Sequence, residues 1–310
     1  MRGLLRHPRL LVYVPFVLFA LLFGMSLYRY NREEAAVDQL VRLGVNVNDE
    51  VVPAAPWIDV LTGRAPLHRL FASRSRQIYL GYSVVPREEI LELIHRVRSC
   101  DGLGVKNESD DETLRRLSSL SNLKSLSLGG GRVTDAGLAQ LRSFPRLEEL
   151  WLDSTRITSE GLESLSELPR LRMLWIRGTE VEDWSSLADL ESLTTLAFTG
   201  RSFDDEDLRG VAQAVAARAA RSQGRASGLR SLEVWWTGIT DESSAVFSTM
   251  SSLTTLSIRD ADITNAALAE IAKAPSLREL RLHGTKVTQE AATELSQAKP
   301  NLKIYVQGGR

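Results

Sequence analysis

Histidine and cysteine, which often act in acid–base or metal chemistry, are few in this sequence, and they are far apart. The histidines are His7, His68, His95 and His283, and the one cysteine is Cys100. A single cysteine excludes an intrachain disulfide and a cysteine zinc site. The stretch GGGR at 129–132 lacks the spacing of a phosphate-binding loop and has no lysine after it. The sequence therefore predicts a non-catalytic protein that carries no cofactor or metal.

Tryptophan, by contrast, recurs at matching places. Trp151 and Trp175 occupy the same slot of LEELWLDSTRIT and LRMLWIRGTEVE, and Trp235 and Trp236 follow in LRSLEVWWTGIT. Exposed tryptophans among charged residues are typical of the few side chains that dominate a binding interface. These four residues are therefore candidates for binding a partner.

The tryptophans lie in a sequence that repeats with a period near 24 residues. Each copy begins with LxxLx and an apolar residue, and a Val, Ile or Phe follows five positions later. The copies start at Leu123, Leu147, Leu171, Leu193, Leu229, Leu253 and Leu277. This pattern predicts an α/β solenoid of leucine-rich repeats, a horseshoe with a parallel sheet on its concave face. Two degenerate units before residue 123 and a last strand at 302–306 give ten expected strands between about residue 75 and 306.

Alternation along each strand decides which side chains face outward. Positions 4 and 6 of a repeat point into the core, and positions 3, 5 and 7 point out. Trp235 then lies two strands after Trp175, about 10 Å away, with the small residues Ala197 and Thr199 between them. The sequence predicts a shallow notch with tryptophan walls and a charged rim. The predicted partner-binding residues are Trp151, Trp175, Arg177, Trp235, Trp236, Glu149, Asp153, Ala197, Thr199 and Glu233. The alternative is that the indoles stack on one another only to cover the sheet.

Two threonine columns have structural interpretations. At position 9, where this class of repeat usually has a buried asparagine, four repeats have threonine, whose hydroxyl can do part of the same work. The next threonine, as in Thr134 and Thr158, stands where a helix N-cap belongs.

The repeat from Leu193 is longer than the others, and its additional residues at 204–228 predict a helix of about 16 residues. This helix is either a tolerated insertion or one edge of the notch.

The N-terminus predicts a membrane anchor. Residues 10–28 form a stretch of 19 residues without a charge, which meets the length needed to cross a bilayer. We expect residues 1–9 to be a short cytoplasmic tail and 10–28 a transmembrane signal anchor. Residues 29–74 would form a juxtamembrane helix and an N-terminal cap, and 75–310 the repeat domain. A cleaved signal peptide is the alternative, and both place the repeats outside the cytoplasm.

The chain resembles the bacterial membrane-anchored leucine-rich repeat proteins. The resemblance rests on LxxLxLxxTxITxxGLxxLxxLPx at 147–170 and on KPNLKIYV at 299–306. Before the repeats, EEAAVDQLVRLG and PWIDVLTG are similar to the cap that such proteins place ahead of the solenoid. The resemblance implies a solenoid that binds other molecules, and it implies no particular ligand.

The charge distribution argues against nucleic acid as a partner. Residues 1–32 carry five arginines and no acid. The rest of the chain is therefore acidic overall, and it has no cluster of lysine and arginine.

The function predicted is a membrane-anchored scaffold that binds a protein or peptide, with a glycan as the nearest alternative ligand. An architectural component of the cell envelope, without a ligand on the concave face, is the second hypothesis.

Overall fold

The computed structural model describes residues 8–52, 73–80, 88–105, 109–221 and 228–308. The chain divides into two compact units. One comprises Met1–Ile78 and Arg87–Asp101, and the other Tyr79–Pro86 and Gly102–Arg310. We call them the cap unit and the repeat domain.

The cap unit is built on one long helix. Its described elements are helix α1 (Pro8–Arg42), strand β1 (Asn46–Val52), most of strand β2 (Ser73–Leu80) and helix α2 (Glu88–Arg96). Helix α1 stops just before Gly44, whose φ of +81° is the left-handed conformation that glycine adopts freely at a helix end. Ala36 and Leu40 of α1 are buried, as are four residues of α2.

A buried arginine organises the polar interior of the cap unit. Arg76 is 1% exposed and faces three carboxylates, those of Glu33, Glu34 and Asp49. Burial opposes the charge of the guanidinium, but the hydrogen bonds to Glu34 and Asp49 more than offset it and raise the pKa of Arg76. Glu33 also accepts hydrogen bonds from the backbone N–H and the hydroxyl of Ser99.

The cap differs in two ways from the prediction. The anchor segment 10–28 and the juxtamembrane helix are one continuous helix, and β1 is a strand that the sequence did not indicate. The cap-like segment PWIDVLTG, at 56–63, lies outside the described residues. Over the described part of the chain, which leaves out the side chains of residues 1–20, no helix is long and apolar enough to cross a membrane.

The repeat domain contains a parallel sheet in which strand order follows chain order. Its strands are β3 (Cys100–Val105), β4 (Ser125–Gly129), β5 (Glu149–Asp153), β6 (Met173–Arg177), β7 (Thr195–Thr199), β8 (Ser231–Trp235), β9 (Thr255–Arg259), β10 (Glu279–His283) and β11 (Lys303–Gln307). Together with β2 they are the ten predicted strands, so the solenoid prediction is confirmed.

Short helices return the chain from each strand to the next. The α-helices are α3 (Asp111–Leu117), α4 (Asp135–Leu138), α5 (Ser159–Ser164), α6 (Asp205–Arg221), α7 (Asn265–Ile271) and α8 (Gln289–Ala298). Segments of 3₁₀ helix occupy Ala139–Ser143, Leu165–Glu167, Ser185–Asp189 and Asp241–Thr249.

The inward and outward positions of the strands are as predicted. In β5, Leu150 and Leu152 are fully buried, and Trp151 between them is only partly covered. The same alternation holds in β6, β8 and β9. Cys100 is buried and forms no disulfide, as expected for a small apolar residue in a leucine slot.

A ladder of carboxylates joins one repeat to the next. The carboxylate of Asp135 accepts hydrogen bonds from the backbone N–H and the hydroxyl of Thr158, both at 2.8 Å. The pairs of this ladder are Asp111–Thr134, Asp135–Thr158, Asp205–Thr240, Asp241–Thr264 and Asn265–Thr288. The ladder needs space, because a Cβ on Gly161 would lie 2.2 Å from Oδ1 of Asp135.

The two threonine columns have different outcomes. Thr134, Thr158, Thr240, Thr264 and Thr288 occupy helix N-cap positions, as predicted, and all except Thr134 accept a capping hydrogen bond. The prediction for position 9 is wrong at three of its four threonines. The hydroxyls of Thr155, Thr237 and Thr285 are buried and make no hydrogen bond within the described structure. Backbone groups are paired there instead, as in the bond from Arg156 N–H to the carbonyl of Val133 at 2.9 Å.

The long repeat contains the predicted helix, α6, which has 17 residues. It packs against the 3₁₀ segments Ser185–Asp189 and Asp241–Thr249, and its buried Arg218 donates to the carbonyls of Glu191 and Leu193. Beneath it, the ring centroids of Phe198 and Phe203 are 4.0 Å apart in a stacked arrangement. The helix therefore lies on the core side of the sheet and does not form an edge of the tryptophan face, and residues 222–227 of the insertion are outside the described structure.

The ladder leads to a stability prediction at Asp135. Replacing Asp135 with alanine leaves two donors of Thr158 unpaired, and should lower the free energy of unfolding by about 1–3 kcal/mol. Asp135→Asn is the matched control, because it removes the same charge but keeps an oxygen that can accept, as Asn265 does for Thr288. Chemical denaturation should show a clearly smaller loss for asparagine, and equal losses would contradict the ladder's role.

Candidate functional site

The exposed sheet face consists of the side chains at positions 3, 5 and 7, which point away from the helices. Register aligns Trp151 with Trp175, and Trp175 with Ala197 on β7. The next column aligns Thr199 with Trp235, and Trp235 with Arg259. The strands therefore bring together residues that are far apart in the chain, such as Trp175 and Trp235.

The open notch predicted between Trp175 and Trp235 is filled. The two indoles bend toward each other across β7, and their ring centroids are 4.8 Å apart in an edge-to-face arrangement. Ala197 and Thr199, predicted as the notch floor, are only 1% and 5% exposed. Small residues on β7 give the large rings room to meet, and an edge-to-face contact is favourable in itself. Ala197 and Thr199 thus lie beneath the cluster, with little of their surface exposed.

Trp235 is the centre of this aromatic cluster. The guanidinium carbon of Arg259 lies 4.4 Å from its ring centroid, within the range of a cation–π interaction. The ring of Trp236 also contacts it, with centroids 6.3 Å apart and the rings nearly perpendicular. Arg259 was not among the predicted site residues. Its position 7 slot, one repeat after Trp235, is the sequence signal that could have identified it.

Trp236 occupies a strained backbone position. Position 8 is left-handed in every regular repeat, and glycine fills it at residues 130, 178, 200 and 284. The geometry allows the N–H of Trp236 to reach the carbonyl of Arg259 in the next repeat at 2.8 Å. Trp236 adopts a φ of +53°, which is rare for a bulky residue, and its side chain is 49% exposed. A large apolar side chain at a strained and exposed place calls for a functional explanation.

The charges around the cluster are only partly matched. Arg177 and Asp153 approach to 3.6 Å, as neighbours on adjacent strands. The carboxylate of Glu233 makes no hydrogen bond or ion pair with another described residue, and burial raises its pKa despite the attraction of Arg281 and Arg259. Burial and the nearby Glu148 likewise raise the pKa of Glu149. The face thus presents a carboxylate, that of Glu233, and a guanidinium group, that of Arg259, and neither has a hydrogen-bonding partner of opposite charge among the described residues.

Aromatic side chains also lie elsewhere on this face. Tyr305 on β11 occupies the slot aligned with Arg281 and is 52% exposed. Gly104 leaves space for the ring of Tyr79, since a Cβ there would lie 2.6 Å from Cδ1 of the tyrosine. Neither tyrosine was a predicted site residue, because the terminal repeats depart from the repeat pattern.

Groups suited to metal binding or acid–base catalysis do not converge here. Within the described ranges, no set of three or more His, Cys, Asp or Glu side chains is placed to hold a metal ion. His283 lies exposed at position 7 of β10, as predicted. His95 is on α2 in the cap unit, and His7 and His68 lie outside the described residues.

Comparison with known proteins supports the repeat assignment. Residues 119–141 match the family model described as a leucine-rich repeat. The repeat domain is a leucine-rich repeat solenoid. No curated protein sequence matches this chain significantly.

Solved structures of two internalins resemble the chain. Internalin C2 of Listeria monocytogenes is 19% identical, covers 64% of this chain and 84% of its own, and has a TM-score of 0.36. An internalin of the same organism, InlF, is 17% identical, covers 82% of this chain and 89% of its own, and has a TM-score of 0.35. The function proposed below does not depend on either likeness.

The strain at Trp236 predicts an unusual response to substitution. Trp236→Gly should be more stable than Trp236→Ala by about 1 kcal/mol, because only glycine adopts the left-handed conformation without a steric cost. The free energy of unfolding of the glycine variant should remain within about 1 kcal/mol of the wild-type value, because Trp236 stabilises the fold only through its contact with Trp235. Thermal and chemical unfolding of the three proteins measure this, and equal stability of the two variants would show that the position is unstrained.

Glu233 predicts a pH dependence of stability. Its pKa is raised on folding, so the ionised carboxylate destabilises the native state above that pKa, and the penalty disappears as the pH falls below the ordinary value of about 4.3. Glu233→Gln should therefore raise the melting temperature at pH 7. The gain should shrink as the pH falls and be absent near pH 4. A gain that is independent of pH would indicate that ionisation is not the cause.

Proposed function

We propose that this protein is a non-catalytic scaffold that binds a protein or peptide through the exposed sheet face of its repeats, the face expected to be concave. The observation that carries this proposal is Trp236. It is held in a left-handed conformation, half exposed, next to the Trp235–Arg259 pair. Among the described residues of the repeat domain, only Trp236 and Tyr305 are large apolar side chains with this much exposure.

The chemistry of the cluster favours a polypeptide ligand. Trp175 directs its indole against Trp235, and Arg259 lies over that same ring, so the ring of Trp235 is the least available for stacking on a sugar. Trp236 offers an apolar anchor, while Glu233 and Arg259 offer a negative and a positive group. A segment with an apolar or aromatic side chain beside one basic and one acidic residue would satisfy all three.

The alternative function is an architectural one. A component of a bacterial cell envelope could bind through its cap or the edge of its sheet, with the tryptophans serving only to cover β7. The edge-to-face contact of Trp175 and Trp235 is compatible with such a role. The exposure and strain of Trp236 favour the binding function, because neither contributes to covering the sheet.

We further propose that the repeats are displayed outside the cytoplasm, with 10–28 as the anchor and 1–9 as the cytoplasmic tail. The support is the uncharged 19-residue stretch and its continuity with α1. If the stretch is cleaved as a signal peptide, the protein is secreted.

Protease accessibility tests this location. Residues 29–310 should resist an added protease in intact cells and be digested once the outer layers are opened, because the cell envelope shields them. Immunoblotting against the repeats measures the outcome, with a known cytoplasmic protein as the control. Digestion that requires access from the cytoplasmic side would overturn the proposed orientation.

Partner capture tests the binding face. The full-length chain should retain a partner from an envelope extract of the source cells. Trp175→Ala, Trp236→Gly and Arg259→Gln should each weaken that binding by about 2 kcal/mol or more, roughly 30-fold in Kd. Tyr305→Ala is the matched control, because it removes an exposed aromatic side chain from the same face at β11, away from the cluster.

The outcomes separate the rival functions. Capture that survives all three substitutions means that this face is not the binding site, and the architectural function would then lead. Capture that survives protease digestion of the extract and is lost after periodate oxidation identifies a glycan ligand. Melting temperatures of each variant exclude unfolding as the cause of a loss.

A further inference from the structure

A basic cleft lies in the cap unit between α1 and α2. It has a volume of about 400 Å³. Four arginines and one histidine line it, namely Arg29, Arg32, Arg96, Arg98 and His95, together with Met25, Tyr28 and one acidic residue, Glu33. The cleft is remote in sequence from the tryptophan cluster and belongs to the other compact unit.

Most of this positive charge is not neutralised by the described residues. Arg29 and Arg98 make no hydrogen bond or ion pair with a described residue, and Arg32 contacts only the ring of Tyr28, at 5.7 Å from its centroid. Arg96 has a loose pair with Glu92 at 3.8 Å. The one acid of the lining, Glu33, is already occupied by Arg76 and Ser99. The cleft therefore has a net positive charge and guanidinium donors that are available to a ligand.

The histidine adds a further polar group. Nδ1 of His95 lies 2.6 Å from the carbonyl oxygen of Leu91, and because a carbonyl can only accept, Nδ1 carries the proton and donates it. Nε2 is then the ring atom left to contact a ligand. Arginine forks with a histidine beside them form the usual environment for a phosphate group.

Exposed apolar side chains lead along α1 to the cleft. Leu21, Leu22, Met25, Leu27 and Tyr28 are all exposed, the last at 63%, and Arg29 follows directly. They continue the uncharged stretch that begins at residue 10. An apolar helix that passes through tyrosine into arginine is the pattern of a segment leaving the hydrocarbon region at the level of the lipid headgroups.

We propose that this cleft binds the phosphate of an anionic phospholipid headgroup at the membrane surface. Arg29, Arg32 and Arg98 would hold the phosphate, and Met25 and Tyr28 would contact the glycerol and the start of the acyl chains. The proposal rests on the membrane anchoring proposed above, since the exposed apolar run of α1 must be in the bilayer for a headgroup to reach the cleft. A lipid is favoured over free phosphate because the lining combines guanidinium groups with apolar side chains on the helix that would enter the membrane.

Calorimetric titration of the full-length chain in a neutral detergent tests the site. The probes are dihexanoyl phosphatidylglycerol, dihexanoyl phosphatidylcholine and inorganic phosphate. Phosphatidylglycerol should bind at least about tenfold more tightly than either of the others. Binding of inorganic phosphate as tight as that of phosphatidylglycerol would overturn the lipid assignment, and equal binding of the two lipids would overturn recognition of the anionic headgroup.

Variants locate the binding. The triple variant R29Q/R32Q/R98Q should lose at least about tenfold in affinity for phosphatidylglycerol. The control R142Q/R170Q/R209Q removes the same charge from exposed arginines of the repeat domain and should bind like the wild type. The single variant Arg98→Gln is measured in case the triple variant does not fold. It should show a partial loss of affinity for phosphatidylglycerol with an unchanged melting temperature. Unchanged affinity in Arg98→Gln and the triple variant would overturn the proposal.

Flotation with neutral phosphatidylcholine vesicles separates this proposal from the anchoring on which it rests. A chain that floats but does not prefer phosphatidylglycerol in the titration refutes the cleft proposal alone. A chain that does not float refutes the anchoring, and with it the headgroup site at a membrane surface. Neither result affects capture of a partner by the tryptophan face, which is measured independently.

Discussion

The rest of the repeat domain depends on the fixed register between neighbouring repeats. Parallel strands set it on one side, and on the other a carboxylate of one repeat accepts two hydrogen bonds from the threonine of the next, as Asp135 does from Thr158. Because both contacts are made residue for residue, equivalent positions of successive repeats line up in columns. The aromatic cluster is a consequence, since Trp175 and Trp235 meet only if both strands keep this register.

The ladder is interrupted beneath that cluster. Ser159 replaces the expected aspartate and accepts from the N–H groups of Glu182 and Asp183, and Trp184 turns into the core, where its indole N–H donates to Asp207. Large aromatic side chains fill this part of the core, with Trp184 5.0 Å from Phe198. The strand that carries Phe198 inside carries Ala197 and Thr199 outside. Bulk on the core side and small residues on the exposed side let the neighbouring indoles close over β7.

Stability and binding make opposing demands at the edge of the cluster. Glycine would fit the backbone at position 236, and a neutral side chain would fit the half-buried site of Glu233. The chain instead has a strained tryptophan and an unmatched carboxylate next to an arginine that contacts only an indole. Both choices cost stability in the isolated protein, and a partner that covers them would recover that cost. The basic cleft of the cap unit shows the same imbalance, because no carboxylate of the described structure pairs with Arg29, Arg32 or Arg98.

The amino-acid sequence by itself determined the solenoid, the ten strands β2 to β11, the N-cap threonines and the inward or outward direction of each strand position. These follow from the period of the repeat and from alternation, which are local properties of the chain. The tertiary structure alone decided that the notch is closed, that Arg259 covers Trp235, that the position 9 hydroxyls are unpaired and that the cap contains β1. A repeat pattern fixes where a side chain starts, but the direction in which a long side chain leans depends on its neighbours in adjacent strands. Ala197 and Thr199 left room for two indoles to meet, and only packing in three dimensions shows that the rings fill it.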